Sequence, residues 1–511
     1  MFMILTASAD TYITNKIIGG KLRATDANVG RAGTLDLFKL YSESEISGTE
    51  DPIEISRLLV KFDLSPLQAL TSTTLDLNNT SFRATLQLFD LLGGQTNPEN
   101  FNVIAFPLSQ SFDEGRGRDV GQFGDLDRAN FITASYSGGS NNLWFVSGAA
   151  GQGLLGSNDI DIISSGNLAD GDGVKNLWSS QYFDTGRENL SLNVSDVVSG
   201  TLAGQIPDHG FRISFSGSEE TDDKSRFVKR FASRHSSNRA LHPALLVSWD
   251  DTLFDNSRDF FFDSTGSVFL NSYLRNRLTN LVSGTSLSPI TGQNSLIMKL
   301  QTGSFIKYVT ASQFTRGLNN ITGVYSATFA IASSDETPYS GTQTLEQLIS
   351  ASGSVTFDQY WESLDGTVGY HTGSLTIKRL ERTSFESIPK ELDFICTNSR
   401  PTFRRDESHR FRIFVRDLDA SRFAVKIPLR LQSIIADQAY YRIVDRQTGN
   451  VVVPFLTENN GTRMSSDSDG MFFDITMSGL PVGRQYGIQM RVDDFGVTGI
   501  YDLHNVSFRV E

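Results

Sequence analysis

Apolar and polar residues alternate along most of this chain, and the alternation predicts β-strands. In the segment Arg57–Ser65, Leu58, Val60 and Phe62 occupy every second position, the period of a strand with one face in a core. The same period recurs in other segments, namely Ala84–Leu91, Leu190–Val194, Phe211–Phe215, Phe411–Val415 and Val506–Val510. Helical patterning is limited to short stretches such as Thr344–Ser350. The pattern therefore predicts an all-β chain built of several β-sandwich domains.

The order of these segments divides the chain into three blocks. The N-terminal block, 1–250, ends with the strand-like segment Ala244–Trp249. The middle block, 251–389, is β-rich and opens with an aromatic cluster around Phe260. The C-terminal block, 390–511, contains Leu480–Tyr486, which resembles the loop before a late strand in fibronectin type III and immunoglobulin-like domains. That resemblance implies an Ig-like sandwich in which the Tyr486 hydroxyl bonds back to the chain, a tyrosine corner.

Short motifs in the N-terminal block occur in the order found in one family. They are Ala9–Ile13 (ADTYI), Asn28–Gly30 (NVG), Arg57–Ser65 (RLLVKFDLS), Phe112–Gly115 (FDEG), Trp144, His209–Ile213 (HGFRI) and Pro243–Val247 (PALLV). This order resembles the DNRLRE-type β-sandwich domain. The resemblance implies a jelly-roll-like sandwich used for adhesion, glycan binding or structural work on cell surfaces and viral particles, and it implies no catalysis.

Composition and charge exclude several classes of protein. The chain has 511 residues, of which 39% are hydrophobic and 20% charged, so it can bury a large core. Its net charge of −13 argues against binding to nucleic acid or to anionic membranes. No run of about 18 apolar residues predicts a membrane span.

The cysteine content and the first residues of the chain indicate the cellular compartment in which the protein is made. Cys396 is the single cysteine, so a disulfide within the chain is impossible, and we expect a buried, inert thiol. The first ten residues lack the apolar core of a secretory signal, which needs about 7–15 residues. An adhesion-like protein kept in a cytoplasm points to a phage particle released by lysis. A truncated or mature-numbered bacterial surface protein is the alternative.

Sequence motifs for metal and catalytic chemistry are sparse. The six histidines include no helical zinc pair, and the chain has no nucleophile elbow and no phosphate-binding loop. Asp170 and Asp172 resemble the start of a calcium loop, but Gln181 stands where an EF-hand has glutamate. A solvated turn is the preferred interpretation, with a structural calcium ion as the alternative. The adjacent acids Asp113–Glu114 and Glu219–Glu220 are interpreted as solvated charges.

Tryptophans are the first candidates for a binding surface. Trp144 and Trp249 lie in apolar strand contexts and predict core packing. Trp178 and Trp361 have polar neighbours and are the better surface candidates, because sugar rings stack on exposed aromatic faces.

A basic island is the second candidate. Lys224, Arg226 and Arg230 belong to the segment 224–239, a positive cluster on an acidic chain, and could dock an acidic partner. A plain amphipathic segment with Phe227 and Phe231 inward is the slightly favoured alternative.

These observations lead to one functional hypothesis and two alternatives. We expect a non-enzymatic structural component of a bacteriophage virion, on the neck, tail, baseplate or capsid exterior. It would be made in the host cytoplasm and would assemble with other virion proteins and copies of itself, without cofactor, nucleic acid or membrane insertion. The first alternative is a glycan-binding module of a host-attachment or cell-surface protein. The second is a glycan-degrading enzyme on a β scaffold.

Overall fold

The computed structural model confirms the predicted all-β, multi-domain β-sandwich fold. It describes residues 1–41, 53–71, 75, 77, 80–91, 93, 97–122, 125–168, 173–250, 260–274, 277–284, 286–316, 319–341, 343–379, 391–418, 433–436, 438–467, 470–494, 497–504 and 506–511. Within these ranges, no helix has both the length and the apolar character needed to cross a membrane.

The N-terminal block is a β-sandwich around the largest core. Its strands are β1 (Phe2–Thr14), β2 (Ile17–Ile18), β3 (Leu22–Arg23), β4 (Thr34–Tyr41), β5 (Ile53–Phe62), β6 (Arg83–Leu88), β7 (Phe101–Pro107), β8 (Thr133–Ser137), β9 (Ser140–Leu143), β10 (Gln152–Leu154), β11 (Ile162–Asn167), β12 (Val174–Asn176), β13 (Ser179–Phe183), β14 (Leu190–Asn193), β15 (Phe211–Phe215), β16 (Arg226–Ala232) and β17 (Ala244–Ser248). Its helices are α1 (Ser65–Leu70), α2 (Ser195–Leu202) and α3 (Gly217–Thr221), with 3-10 turns at Val120–Gln122 and Arg239–Leu241.

Strand β1 connects the two halves of this sandwich. Its first part, from Phe2 to Thr6, pairs antiparallel with β17, which continues to β6 and β14. A register shift between Ala7 and Ala9 redirects the strand, and its second part pairs with β5, followed by β15, β7 and β13. A bulge of this kind bends a strand and re-aims the side chains that follow it. Asp10 lies immediately beyond the bulge.

Strand β5 is buried on both faces, so the expectation of a single buried face is wrong. Leu58 and Val60 lie in the main core, whereas Leu59 lies in a second core on the opposite face of the sheet. The second core is completed by residues from the segment that follows β7, including Trp144 and Ile162. The strand needs apolar residues at consecutive positions because other segments of the protein pack on both of its faces.

Described residues between 112 and 168 contribute to this outer layer, among them Ala129 and Ile162. Strands β10, β11 and β12 form a small sheet of their own, and Ile162 and Ile163 of β11 are buried in the two cores. Deleting Gly151–Asn167 would therefore remove core residues.

The middle block is built on one large sheet, with a helix and two short two-stranded sheets. Its strands are β18 (Phe260–Phe261), β19 (Gly266–Asn271), β20 (Tyr273–Leu274), β21 (Arg277–Leu278), β22 (Leu296–Thr302), β23 (Phe305–Arg316), β24 (Asn319–Phe329), β25 (Pro338–Ser340), β26 (Gln343–Thr344), β27 (Ser354–Glu362) and β28 (Gly369–Lys378). Seven of them form one sheet in the order β18-β28-β27-β22-β23-β24-β19. Its two edges approach each other where Phe260 packs on Phe329, with ring centroids 5.4 Å apart. Helix α4 (Leu345–Ser352) contributes Leu345 and Ile349 to the core.

The C-terminal block is a sandwich of two sheets. Its strands are β29 (Leu392–Cys396), β30 (Thr402–Phe403), β31 (Ser408–Asp417), β32 (Ala439–Asp445), β33 (Val451–Val453), β34 (Ser465–Asp467), β35 (Gly470–Thr476), β36 (Gln485–Asp494), β37 (Val497–Asp502) and β38 (Phe508–Val510), with a 3-10 turn at Met477–Gly479. The predicted tyrosine corner is present, because Tyr486 is fully buried and its hydroxyl donates to the Pro481 carbonyl at 2.6 Å. Burial, and then the Asp445 carboxylate, raise the pKa of Tyr486.

The N-terminal and C-terminal blocks pack directly against each other through β1. Met3 and Leu5 point into the N-terminal core, whereas Phe2 is buried in the C-terminal core and Ile4 packs against it. A polar contact closes the interface at the chain's exit to the middle block, where Asn460 Nδ2 donates to Asp250 Oδ2 at 3.1 Å. The predicted domain boundaries themselves stay a prediction, since 251–259 and 380–390 lie outside the described residues.

Candidate functional site

A buried asparagine joins two of the sequence motifs. Asn28 is fully buried, and its Nδ2 donates to the carbonyl oxygens of Glu114 at 2.9 Å and Ala129 at 2.8 Å. Its Oδ1 accepts from the backbone N–H groups of Gly30 at 3.1 Å and Gly117 at 2.9 Å. A Cβ on Gly30 would lie 1.8 Å from the Glu114 carbonyl oxygen. A Cβ on Gly117 would lie 1.8 Å from the backbone carbonyl oxygen of Asn28. The glycines are needed for close approach, and the arrangement fixes Glu114 in place.

Glu114 belongs to a cluster of charged residues that the sequence spreads over the whole N-terminal block. Its Oε1 lies 3.2 Å from His235 Nε2 and 3.0 Å from Arg234 Nε, and accepts the backbone N–H of Asp10 at 3.0 Å. Asp10 Oδ2 in turn accepts the backbone N–H of Arg234 at 2.6 Å. The bulge in β1 presents Asp10 from one side, and the turn after β16 presents Arg234 and His235 from the other.

Asp10 is the most deeply buried member of this cluster. Its side chain is 1% exposed, and among the described residues its Oδ1 has no hydrogen-bond partner. Burial raises the pKa of Asp10 to about 7, although the backbone N–H of Arg234 acts in the opposite direction. A carboxylate oxygen of Asp10, one of Glu114 and a ring nitrogen of His235 lie within 4.8 Å of one another. These three residues form the metal-ligand set that the structure offers within its described ranges.

A second ion-paired group is built on Arg57 of β5. Arg57 binds Glu220 through two bonds, Nε to Oε1 at 2.9 Å and Nη2 to Oε2 at 2.7 Å, and its Nη1 donates to the Gly148 carbonyl at 2.6 Å. Burial alone would raise the pKa of Glu220, but the charge and hydrogen bonds of Arg57 outweigh burial and lower it. The interpretation of Glu220 as a solvated acid is therefore wrong. Its role is to fasten α3 to the sheet.

A buried aspartate shapes an exposed turn on the outer layer. Asp161 is fully buried and accepts the backbone N–H groups of Phe145 at 2.7 Å, Val146 at 2.9 Å and Gly151 at 2.7 Å. The side-chain amide of Gln110 donates to it at 2.9 Å. Hydrogen bonds to a charged acceptor are stronger than neutral ones, so the backbone of this turn is held firmly.

Large apolar side chains project from that turn into solvent. Leu143 is 56% exposed, Phe145 58% and Val146 45%. Ile132, 39% exposed, lies beside them because its carbonyl accepts the backbone N–H of Trp144 at 3.0 Å. We call these four exposed residues, Ile132, Leu143, Phe145 and Val146, the apolar turn. A contiguous exposed apolar group of this kind marks an interaction surface more often than isolated exposed residues do.

The four tryptophans divide differently from the sequence-based expectation. Trp144 and Trp249 are buried, as predicted. Trp178 is 41% exposed, whereas Trp361 is 1% exposed, so its proposed role as a surface binding residue is wrong. Trp361 lies on β27, where alternate residues point inward, and the polar neighbours that suggested a surface position point outward.

Most of the basic island is paired within the chain. Arg226 forms a bidentate ion pair with Asp222, and Arg230 forms one with Asp36, with N–O distances of 2.6 to 2.9 Å. These two arginines are therefore not free to dock a partner, contrary to expectation, whereas Lys224 is exposed. In the same strand Phe231 is buried as predicted, but Phe227 is 40% exposed, so the expectation that both point inward is half wrong.

The remaining candidate residues add little chemistry. Asp170 and Asp172 lie outside the described residues, so the calcium alternative stays a prediction. Cys396 is buried as expected, and burial raises the pKa of its thiol, which disfavours the reactive thiolate. A groove between the N-terminal and C-terminal blocks is lined by Arg234, Arg239 and Arg405.

Comparisons with known proteins identify no family for this chain. A scan against protein-family models matches none, so the DNRLRE resemblance stays an interpretation, and no curated protein matches the sequence. Among solved structures, the tandem Ig repeats of Dlar share 8% identity over 50% of this chain and 93% of theirs, with a TM-score of 0.15. A chimeric titin Z1Z2 tandem gives 9% identity over 50% and 95%, with a TM-score of 0.15. The D00-D0 domain of intimin gives 9% over 50% and 99%, with a TM-score of 0.12. TM-scores this low carry no argument.

Sequence reasoning missed two residues of the charged cluster, Glu114 and His235. Glu114 is among the acids interpreted from sequence as solvated, and the sequence gives His235 no role, because nothing local connects either residue to Asp10. The motif order that suggested a family does contain Asp10, Asn28 and Glu114. Their convergence is the signal that could have identified the cluster.

Proposed function

We propose that this protein is a non-enzymatic structural component of a bacteriophage virion that acts by assembling with other virion proteins and with copies of itself. The observation that carries the proposal is the apolar turn, a group of exposed apolar side chains on a backbone anchored by the buried Asp161. The order of the sequence motifs and the single cysteine are consistent with this role. Neck, tail, baseplate and capsid exterior are the substructures that such a surface would serve.

The physical basis is burial of the apolar turn in the assembly. Covering an exposed Phe, Val or Leu side chain contributes about 1.5–3 kcal/mol each. The four bonds to Asp161 order the turn before a partner arrives, which lowers the entropy cost of association. A single chain would then associate weakly, and many copies arranged in a ring or fibre would hold firmly.

The experiment replaces Phe145 and Val146 together with aspartate. Both side chains are exposed, so the variant should fold, which circular dichroism and the unfolding midpoint will check. We expect its incorporation into particles, measured by mass spectrometry of purified virions, to fall at least about tenfold, the effect of losing 1.4 kcal/mol. Leu154→Asp on β10 is the matched control, because Leu154 is 57% exposed and lies outside the apolar turn. Normal incorporation of the double variant, or absence of the wild-type chain from virions, would refute the proposal.

Glycan binding is the second candidate, and one observation favours it. Trp178 and Tyr182 are 41% and 55% exposed, and Trp178 immediately precedes the edge strand β13, on which Tyr182 lies. Four residues of strand span about 13 Å, so the two rings could each stack on a different sugar of one chain. Affinity electrophoresis against host polysaccharides tests this idea. Trp178→Ala should abolish retardation and Tyr308→Ala, at an exposed tyrosine of the middle block, should leave it unchanged. Equal retardation of both variants would exclude this surface.

A further inference from the structure

Asp10, the most deeply buried member of the cluster, carries a carboxylate oxygen without a partner among the described residues. Asp10 is 1% exposed, its Oδ2 accepts the Arg234 backbone N–H, and its Oδ1 has no hydrogen-bond partner in the part of the chain that the structure describes. In its ionised form this carboxylate is purely an acceptor, so the ligand that completes the ionised form is a donor or a cation. Buried polar atoms of this kind are rare and call for a specific explanation.

The neighbouring side chains supply the rest of a coordination set. One oxygen from each of Asp10 and Glu114 and a ring nitrogen of His235 lie within 4.8 Å of one another. The distance from Glu114 Oε1 to His235 Nε2 is 3.2 Å. Two ligands of a tetrahedral zinc ion, each bound at about 2.1 Å, lie about 3.4 Å apart. The Glu114–His235 ligand pair therefore already has nearly the spacing of a tetrahedral edge.

The identity of the ligands selects the class of cation. Calcium and magnesium prefer shells made of oxygen, whereas imidazole together with carboxylates suits zinc and the neighbouring transition metals. We propose that Asp10, Glu114 and His235 bind one zinc-class divalent cation. This proposal is independent of the assembly role, since none of its three ligands belongs to the apolar turn.

Arg234 is the resident counter-charge that such a cation would displace. Its Nε lies 3.0 Å from Glu114 Oε1, and its Nη1 donates to the Ser8 carbonyl. One guanidinium balances one of the two carboxylates of the cluster. The Arg234 side chain is 30% exposed and borders the groove between the two blocks, so it can turn outward and leave Glu114 to the metal.

The backbone around the three ligands is already fixed. Asn28 holds the carbonyl of Glu114, and the His235 N–H donates to Ser233 Oγ at 3.1 Å. Asp10 lies on a strand paired with β5. Metal binding therefore requires a movement of one arginine side chain and small rotations of the three ligands.

Isothermal titration of the full-length chain with zinc chloride tests the proposal. We expect one saturable site per chain, weakened at least about tenfold in His235→Gln, since even residues that only support metal ligands have effects of this size. His242→Gln is the matched control, because His242 is a half-buried histidine that contacts the Ser236 carbonyl outside the cluster. Absence of saturable zinc binding to the wild-type chain, or equal affinities of the wild type and His235→Gln, would overturn the proposal.

The variant Arg234→Gln distinguishes a metal site from a purely structural cluster, because only a metal site should bind zinc more tightly in this variant. Removing the resident cation should tighten zinc binding about three- to tenfold, because Coulomb repulsion with the metal is lost while its three ligands remain. Unchanged or weaker zinc binding in a folded Arg234→Gln chain would contradict the proposed displacement. If His235→Gln does not fold, cobalt(II) added to the wild-type chain decides. Visible absorption bands of tetrahedral cobalt support the site, and a spectrum identical to that of free cobalt refutes it.

Discussion

Replacing Asn28 with aspartate tests whether the buried asparagine organises the N-terminal block. Aspartate has nearly the same shape and keeps the oxygen that accepts from Gly30 and Gly117. It loses the two donated bonds, so the carbonyl groups of Glu114 and Ala129 each face an oxygen instead of an N–H group. The change alters two hydrogen bonds while leaving the volume of the core intact.

The expected cost follows from those two carbonyl groups. Each buried group left without a partner costs about 1–3 kcal/mol, so the free energy of unfolding should fall by about 2–6 kcal/mol. Placing a negative charge at a fully buried position adds to this cost. A loss of this size is a large part of the stability of a typical domain, which is about 5–15 kcal/mol.

Urea denaturation and hydrogen exchange of the full-length chain provide the assay. We expect a lower unfolding midpoint and faster exchange of the Gly30 and Gly117 amides, because the destabilised block opens more often even though aspartate keeps the oxygen that accepts from them. Asn141→Asp, at an exposed position of β9, controls for the added charge. The reasoning is refuted if Asn28→Asp unfolds at the same urea concentration as Asn141→Asp, or if the two glycine amides keep their protection.

Three further predictions concern stability. Tyr486→Phe leaves the Pro481 carbonyl without its donor and should lower the unfolding free energy by about 1–3 kcal/mol, measured by thermal denaturation; an unchanged midpoint would show that the corner contributes nothing. Trp361→Ala should cost about 3–5 kcal/mol and Trp178→Ala much less, because only Trp361 is buried; similar losses would contradict the assigned burial. The hydrogen bond from Arg226 lowers the pKa of Asp222, so its stabilisation is complete above the unfolded pKa of about 3.9 and is lost as pH falls through the folded value. Acid titration should therefore destabilise wild type more than Asp222→Asn, and parallel curves would oppose this assignment.

The fold was predictable from local patterns, because strand alternation and turn chemistry are carried by neighbouring residues. The tyrosine corner illustrates this, since Tyr486 and Pro481 lie in one loop. The burial of β5 on both faces was harder to predict from the sequence, because the residues that cover Leu59 lie far along the chain. Trp361 was misassigned because its immediate neighbours in sequence point the opposite way from its own side chain.

The candidate site depended on long-range contacts that no local pattern encodes. Asp10 meets Glu114 and His235 only after three separate segments have folded. Charged residues in turns are usually solvated, so the sequence favoured that interpretation for Glu114. The same reason explains why the sequence suggested Arg226 as a docking residue. Its partner Asp222 is near in sequence, but the strand that follows brings the two side chains into bidentate geometry.

Strand β1 contributes side chains to both the N-terminal and the C-terminal core, and this has a consequence for biosynthesis. A ribosome makes β1 long before the strands of the C-terminal block that cover Phe2 and Ile4. The nascent N-terminal block must therefore carry an uncovered apolar ridge while the whole middle block emerges. Final closure waits for the last sandwich to fold back, past the middle block, onto a strand made at the start. The middle block is thus topologically an insertion, and the two blocks that flank it mature as one cooperative unit.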